Sequence, residues 1–171
     1  MTQLFESDNL QLVGRLSEPR RIGNAGTVGL VLCHGFPSVA IGEKETTQSY
    51  YDLADLISEQ LDWTVFAITY RGCGKSEGNF SLLGWLHDTI NAVRHLNGLE
   101  HIQTVYAAGF GTGGALAINA AAACEELQGV AAISPPADFN DWIDNPEDLI
   151  DYARRVGVIS DSSYPESLEE W

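Results

Sequence analysis

Four glycines fall within six residues at Gly109-Phe110-Gly111-Thr112-Gly113-Gly114, between an apolar run at 104–108 and an alanine-rich run at 115–120. This is the pattern of a strand that turns sharply into a helix. At such an elbow the two segments cross too closely for side chains, so glycine is required two positions before and after the apex. Gly109 and Gly113 hold those positions and Gly114 widens the glycine stretch. The apex is Gly111, where the G-x-S-x-G form of this turn carries a serine. Glycine has no side chain with which to attack a carbonyl, so acyl-enzyme chemistry cannot begin at position 111.

The chain around this turn alternates strand and helix patterns. Residues 10–16 alternate apolar and polar, as a half-buried strand does. Pro19, Gly23, Asn24 and Gly26 predict a turn over 17–27. Residues 28–33 are apolar on both faces, as in a central parallel strand, and end in His34-Gly35-Phe36-Pro37. A polar loop is expected over 38–47, with Thr47 or Ser49 capping a helix that runs to Leu61. Residues 63–69 form the next strand, followed by a glycine-rich loop, Tyr70 to Gly78. Ser81 is placed to cap a helix ending near Gly98. After the elbow and its alanine-rich helix, residues 129–133 read as a last strand, stopped by Ser134-Pro135-Pro136. From Asp138 the spacing predicts one or two short amphipathic helices ending at Gly157, and 158–171 read as a loop or frayed end. Alternating strands and helices predict a three-layer α/β sandwich with a mainly parallel sheet. The division expected is a core over 1–137 and an acidic helical extension over 138–171.

Charge narrows the partners. The net charge is −15, and residues 125–171 hold 12 acids against 2 basic residues. Such a surface repels nucleic acid and anionic membranes, so neither is expected as a partner. No apolar stretch reaches the roughly 20 residues of a membrane span. The first nine residues lack the basic and apolar segments of a secretion signal, and Cys33, Cys73 and Cys124 are odd in number and scattered. A cytoplasmic location is the expectation. No metal-ligand cluster and no cofactor motif stands out. Gly109, Gly111 and Gly114 do match G-x-G-x-x-G, but Ile133 leads into Ser134-Pro135 where a dinucleotide site wants an acid.

Three loops share the carboxyl ends of the predicted parallel strands: His34-Gly35-Phe36, Arg71-Gly72-Cys73-Gly74-Lys75-Ser76-Glu77-Gly78, and the elbow. Their order and spacing over residues 10–157 resemble the α/β-hydrolase fold, in its serine peptidase and esterase branch. The resemblance implies that the His34-Gly35-Phe36 loop supplies an oxyanion-hole N–H, that Thr112 supplies another, and that Gly111 stands where the serine belongs. It also implies a triad acid and then a histidine further along. Asp138 stands where some members carry the acid. The four histidines, His34, His87, His95 and His101, all precede the elbow. Against that pattern the last strands and most of a cap are lacking.

The expected ligand pocket is therefore His34, Gly35, Phe36, Gly111 and Thr112, with Gly109, Gly113 and Gly114 as the structural elbow. Two substitutes for the missing nucleophile exist. Thr112 would require a register that puts Phe110 at a glycine position. Cys73 lies near Arg71 and Lys75, which favour a thiolate. Neither has a base placed to activate it. The expected function is a non-catalytic hydrolase-like protein that binds a small acyl or carboxylate ligand or a protein partner. The alternative is an ester or amide hydrolase whose C-terminal half is lost or supplied in trans. The strand at 129–133 has an open edge that invites a second copy or a complementing chain.

Overall fold

A computed structural model describes residues 1–19 and 27–168. Strands β1 (Thr2–Ser7) and β2 (Leu10–Ser17) form a hairpin, joined by Asp8 and Asn9 in left-handed conformations. Asp and Asn tolerate that backbone, which a two-residue hairpin turn needs. Then follow β3 (Val28–Cys33), α1 (Gly42–Leu61), β4 (Thr64–Thr69), α2 (Leu82–Asn97), β5 (Thr104–Phe110), α3 (Thr112–Ala123), β6 (Leu127–Ile133), α4 (Asn140–Asp144) and α5 (Pro146–Val156). The six strands lie in the order β1-β2-β4-β3-β5-β6. β2 pairs antiparallel with β4, whereas β4, β3, β5 and β6 are parallel.

Period-two alternation splits the core between the two faces of the sheet. Leu30, Leu32, Val65 and Ala67 face α1, where Tyr50, Tyr51, Leu53, Ala54 and Ile57 cover them. Val31, Cys33, Phe66 and Ile68 face the other way, onto α2 and α3. The three-layer sandwich is thus present. The small residues of α3 let it lie close on the sheet, with Ala115, Ala117 and Ala120 buried.

Several local expectations need correction. β1 had no counterpart in the sequence reading. α1 begins at Gly42, not after Thr47 or Ser49, because the Ser38 turn starts it: the Gly42 and Ile41 N–H groups both bond to the Ser38 carbonyl. Ser49 lies inside the helix, its hydroxyl bonded to the Glu45 carbonyl. The turn expected over 17–27 lies largely outside the described residues. Ser81 does cap α2, its oxygen accepting the Gly84 N–H at 3.0 Å. Residues 158 and 159 are not frayed: Val158 and Ile159 are buried, and the Val158 carbonyl accepts the Phe80 N–H. The segment after β6 joins the same core, through Leu149, Ile150, Ala153 and Val156. It packs on the loops at the carboxyl ends of the strands.

Candidate functional site: the elbow cleft

The apex Gly111 has φ 52° and ψ −126°, a backbone conformation L-residues rarely adopt. Its N–H donates to the Ile133 carbonyl at 2.9 Å, and its carbonyl accepts the N–H groups of Gly114 and Ala115. The turn is closed by contacts that admit no side chain. A Cβ on Gly109 would strike the Gly113 carbonyl, and one on Gly113 would strike the carbonyls of His34 and Cys33. A Cβ on Gly114 would stand 2.9 Å from the Gly109 oxygen, and one on Gly35 3.0 Å from the Phe110 oxygen. A Cβ on Gly111, by contrast, would meet nothing within 4 Å. The space a nucleophile would occupy is open.

That space belongs to a cleft of about 340 Å³ lined by Gly111, Thr112, Ser134, Pro136, Asp138 and the α4 residues Asp141 and Trp142, with Phe139 beside them. The Thr112 N–H, first of α3, has no acceptor among the described residues and lies at the positive end of the helix dipole. Thr112 itself is buried. Ser134 carries a left-handed φ of 49°. Asp138 accepts the Asn140 N–H at 3.0 Å, a turn-capping bond at the start of α4.

The other expected pocket residues divide. Phe36 lines an adjoining groove of about 300 Å³ with Trp142, Leu149 and Tyr152, rimmed by Asp141, Asn145 and Asp148. Its ring packs on Phe80, Trp142 and Trp85 at 4.8, 5.2 and 5.5 Å between centroids. Gly35 lies behind, against β5. The His34 side chain lines neither recess. It is 1% exposed, boxed by Tyr50, Tyr70 and Trp85, and its Nδ1 is 2.8 Å from the Gly35 carbonyl. Donation from Nδ1 leaves Nε2 as a buried acceptor without a partner. Burial pushes its pKa down to about 4, so the ring is neutral at physiological pH. A larger recess of about 650 Å³ lies between β2 and α1, beside Arg15 and Asp55; it contains none of the elbow chemistry.

No histidine serves the apex as a base. His87 pairs with Asp8 at 2.8 Å beside the β1–β2 turn. His95 packs between Phe5 and Phe66. His101 faces Thr64 and Glu18.

Cys73 is corrected as a nucleophile candidate: it is 0% exposed and part of the main core. The arginine expected to favour its thiolate is engaged elsewhere. Arg71 binds the fully buried Asp88 through Nη2 at 2.7 Å and Nε at 3.1 Å, and also reaches Asp8 at 2.9 Å. Ser76 is structural too, its hydroxyl donating to the Thr69 carbonyl and accepting the Val13 N–H. Burial pushes the Cys33 thiol up to about 11, and burial with Glu126 does the same for Cys124. Sequence reading missed the aromatic groove, since Phe36 and Trp142 are far apart in the chain. The recurrence of Phe139, Trp142 and Tyr152 along an otherwise acidic stretch was the available signal.

A family model described as the alpha/beta hydrolase family matches residues 30–170. Among solved structures, the chain is similar to Est1E from Butyrivibrio proteoclasticus with ferulic acid bound, at TM-score 0.67 and 21% identity over 82% of this chain and 55% of that one. It is similar to XC6422 from Xanthomonas campestris, described as an a/b serine hydrolase without lid, at TM-score 0.63 and 25% identity over 82% and 65%. An alpha-beta serine hydrolase homologue from Coxiella burnetii gives TM-score 0.68 and 19% identity over 81% and 64%. The chain thus spans between 55% and 65% of the length of these three structures. No curated protein matches the sequence significantly.

Proposed function

Because the chain belongs to the alpha/beta hydrolase family, we propose that it keeps the family's acyl-binding crevice without the attack step, and acts by binding a small acyl ligand. One observation carries this reading. Glycine leaves the space at the apex open, and that space belongs to a cleft also lined by Thr112, whose N–H has no acceptor among the described residues. The Thr112 N–H and the dipole of α3 remain to polarise a carbonyl. Asp138 and Asp141 stand around the same cleft. Their charge opposes a carboxylate and favours a neutral ester, amide or thioester carbonyl.

A fluorophosphonate probe and p-nitrophenyl esters test the absence of hydrolysis. The expected result is neither covalent labelling nor turnover above the uncatalysed rate; stoichiometric labelling overturns the reading. Binding is tested with short-chain acyl amides in wild type and in Gly111→Trp, which fills the cleft. Loss of binding in the variant is expected, and equal binding refutes the placement of the ligand.

The second reading is an ester or amide hydrolase completed by residues from another chain. The partial span of the serine hydrolase structures favours it. It requires a nucleophile other than residue 111, and Ser134 is the hydroxyl exposed in the cleft. Turnover that appears only with a second polypeptide and disappears in Ser134→Ala would establish it.

A further inference from the structure

The elbow cleft and the aromatic groove share two lining residues, Asp141 and Trp142. The two recesses meet at these α4 residues and differ in chemistry. The elbow half offers backbone N–H and a helix N-terminus. The groove half offers the rings of Phe36, Trp142 and Tyr152 with Leu149 between them, and carboxylates at its rim.

The charge of the groove has a definite sign. From Asp138 to Arg155 the chain carries six acids and two arginines, and no lysine. Both arginines are engaged. Arg154 pairs with Asp151 at 3.6 Å and donates to the carbonyls of Ser162 and Tyr164. Arg155 lies over the Tyr152 ring at 5.5 Å. Asp141 and Asp148 have no ion-pair partner among the described residues. Unpaired carboxylates beside aromatic faces attract a weakly hydrated cation, by Coulombic attraction and by the ring quadrupoles. An ammonium with alkyl substituents fits better than a bare one, since a mainly apolar groove rewards burial of its methyl groups. Arg155 on Tyr152 shows that one of these rings already accepts a cation within the chain.

We infer that the ligand is an acyl compound bearing an alkylated ammonium group, its carbonyl at the Thr112 N–H and its cation in the groove between Phe36, Trp142 and Tyr152. The inference rests on the acyl-binding reading above for the carbonyl half, whereas the cationic half stands on the groove alone. Asp141 is placed to act on both halves, and Asp148 on the cation only.

Three probes separate the two halves: butyrylcholine, its uncharged isostere 3,3-dimethylbutyl butyrate, and tetramethylammonium. Binding is followed by quenching of tryptophan fluorescence and by calorimetry on the full chain. Butyrylcholine is expected to bind about tenfold more tightly than the isostere at low ionic strength, with the advantage shrinking at about 0.5 M salt as screening shortens the reach of the carboxylates. Asp148→Asn, an exposed change, is expected to weaken butyrylcholine several-fold and leave the isostere unchanged. Tetramethylammonium is expected to bind wild type and Gly111→Trp alike. Equal affinity for the two esters, or an Asp148→Asn variant that loses both equally, overturns the ammonium site and leaves the acyl reading standing. Tetramethylammonium binding without any ester binding does the reverse. No binding of any probe refutes both.

Discussion

The elbow predicts a steep gradient of tolerance across neighbouring glycines, and alanine or serine substitution measures it. At Gly111 the added Cβ enters open space, so the cost is confined to the backbone. Holding an L-residue at φ 52°, ψ −126° falls in the strained class that costs roughly 1–3 kcal/mol. Taking about 2 kcal/mol, and roughly 2–4 °C of melting temperature per kcal/mol for a chain this size, Gly111→Ser lowers Tm by about 4–8 °C. At Gly113 the added Cβ meets two backbone carbonyls, one of them Cys33 oxygen at 2.5 Å, and neither can rotate away. β3 and α3 must separate there, which puts Gly113→Ala in the tail beyond about 4 kcal/mol. Gly109→Ala meets the Gly113 carbonyl and behaves likewise. Differential scanning calorimetry on the three variants is the assay, with circular dichroism to confirm folding. A Gly111→Ser protein as damaged as Gly113→Ala would refute the claim that only strain opposes a side chain at the apex. A Gly111→Ser protein more stable than wild type would refute the backbone assignment. The same variant checks the chemistry: it should not hydrolyse esters, because no imidazole faces the apex.

Three further predictions are independent of the elbow. His34 is held neutral by burial, with its pKa lowered from 6.5 to about 4, so the unfolded chain takes up the proton first. Stability therefore falls as pH drops through that window, by about 3 kcal/mol from this residue, and a non-titrating His34→Asn flattens the slope of urea-derived stability between pH 7 and 4; an unchanged slope rules His34 out as the cause. Asp88→Ala leaves the Arg71 guanidinium with Asp8 as its remaining charged partner and its backbone N–H without the carboxylate, at a cost of about 2–3 kcal/mol, while Arg71→Met combined with Asp88→Leu recovers part of it; a single-mutant loss under about 1 kcal/mol in chemical denaturation contradicts the buried pairing. β6 carries no charge and no proline and is the edge strand on its side of the sheet among the described residues, so its open edge favours pairing with a second copy; light scattering should show a dimer at micromolar concentration that Ala131→Lys dissociates, and a wild-type monomer refutes it.

What could be read from the sequence was whatever a local backbone demand writes into it. Gly109 and Gly113 announce a close crossing wherever they occur at that spacing, and Ser81 announces a helix start. The turn at Asp8-Asn9 wrote a hairpin just as plainly, but within β1 the adjacent apolar pair Leu4-Phe5 breaks the alternation a half-buried strand shows. Demands set by distant residues were illegible. Val158 and Ile159 look like tail until Gly72 is seen to leave room for the Val158 carbonyl. Cys73 looked activated because Arg71 is two residues away in sequence. The fold instead pairs that charge with Asp88 of α2, seventeen residues further along the chain. The groove required Phe36 and Trp142 to meet, which no pattern in either segment states.

Much of the elbow is evidence about folding and nothing else. Gly109, Gly113 and Gly114 are needed to bring α3 onto β5 and β3 whether or not anything binds there. At the apex, glycine is the residue that relaxes a turn a serine would strain, so its presence lowers the cost of keeping the fold. A well-formed elbow is accordingly what any stable chain of this topology shows, with or without a ligand. The discriminating features are those the fold does not need. Asp141 and Asp148 favour the N-terminal turns of α4 and α5, but they make no ion pair among the described residues and leave their charge facing the two recesses. The Trp142 ring packs on Phe36 and Phe80 at the edge of the core and lines both recesses. The Thr112 N–H points from a helix end with no acceptor. Binding is favoured because these carboxylates, this ring and this helix end line two recesses that meet at α4.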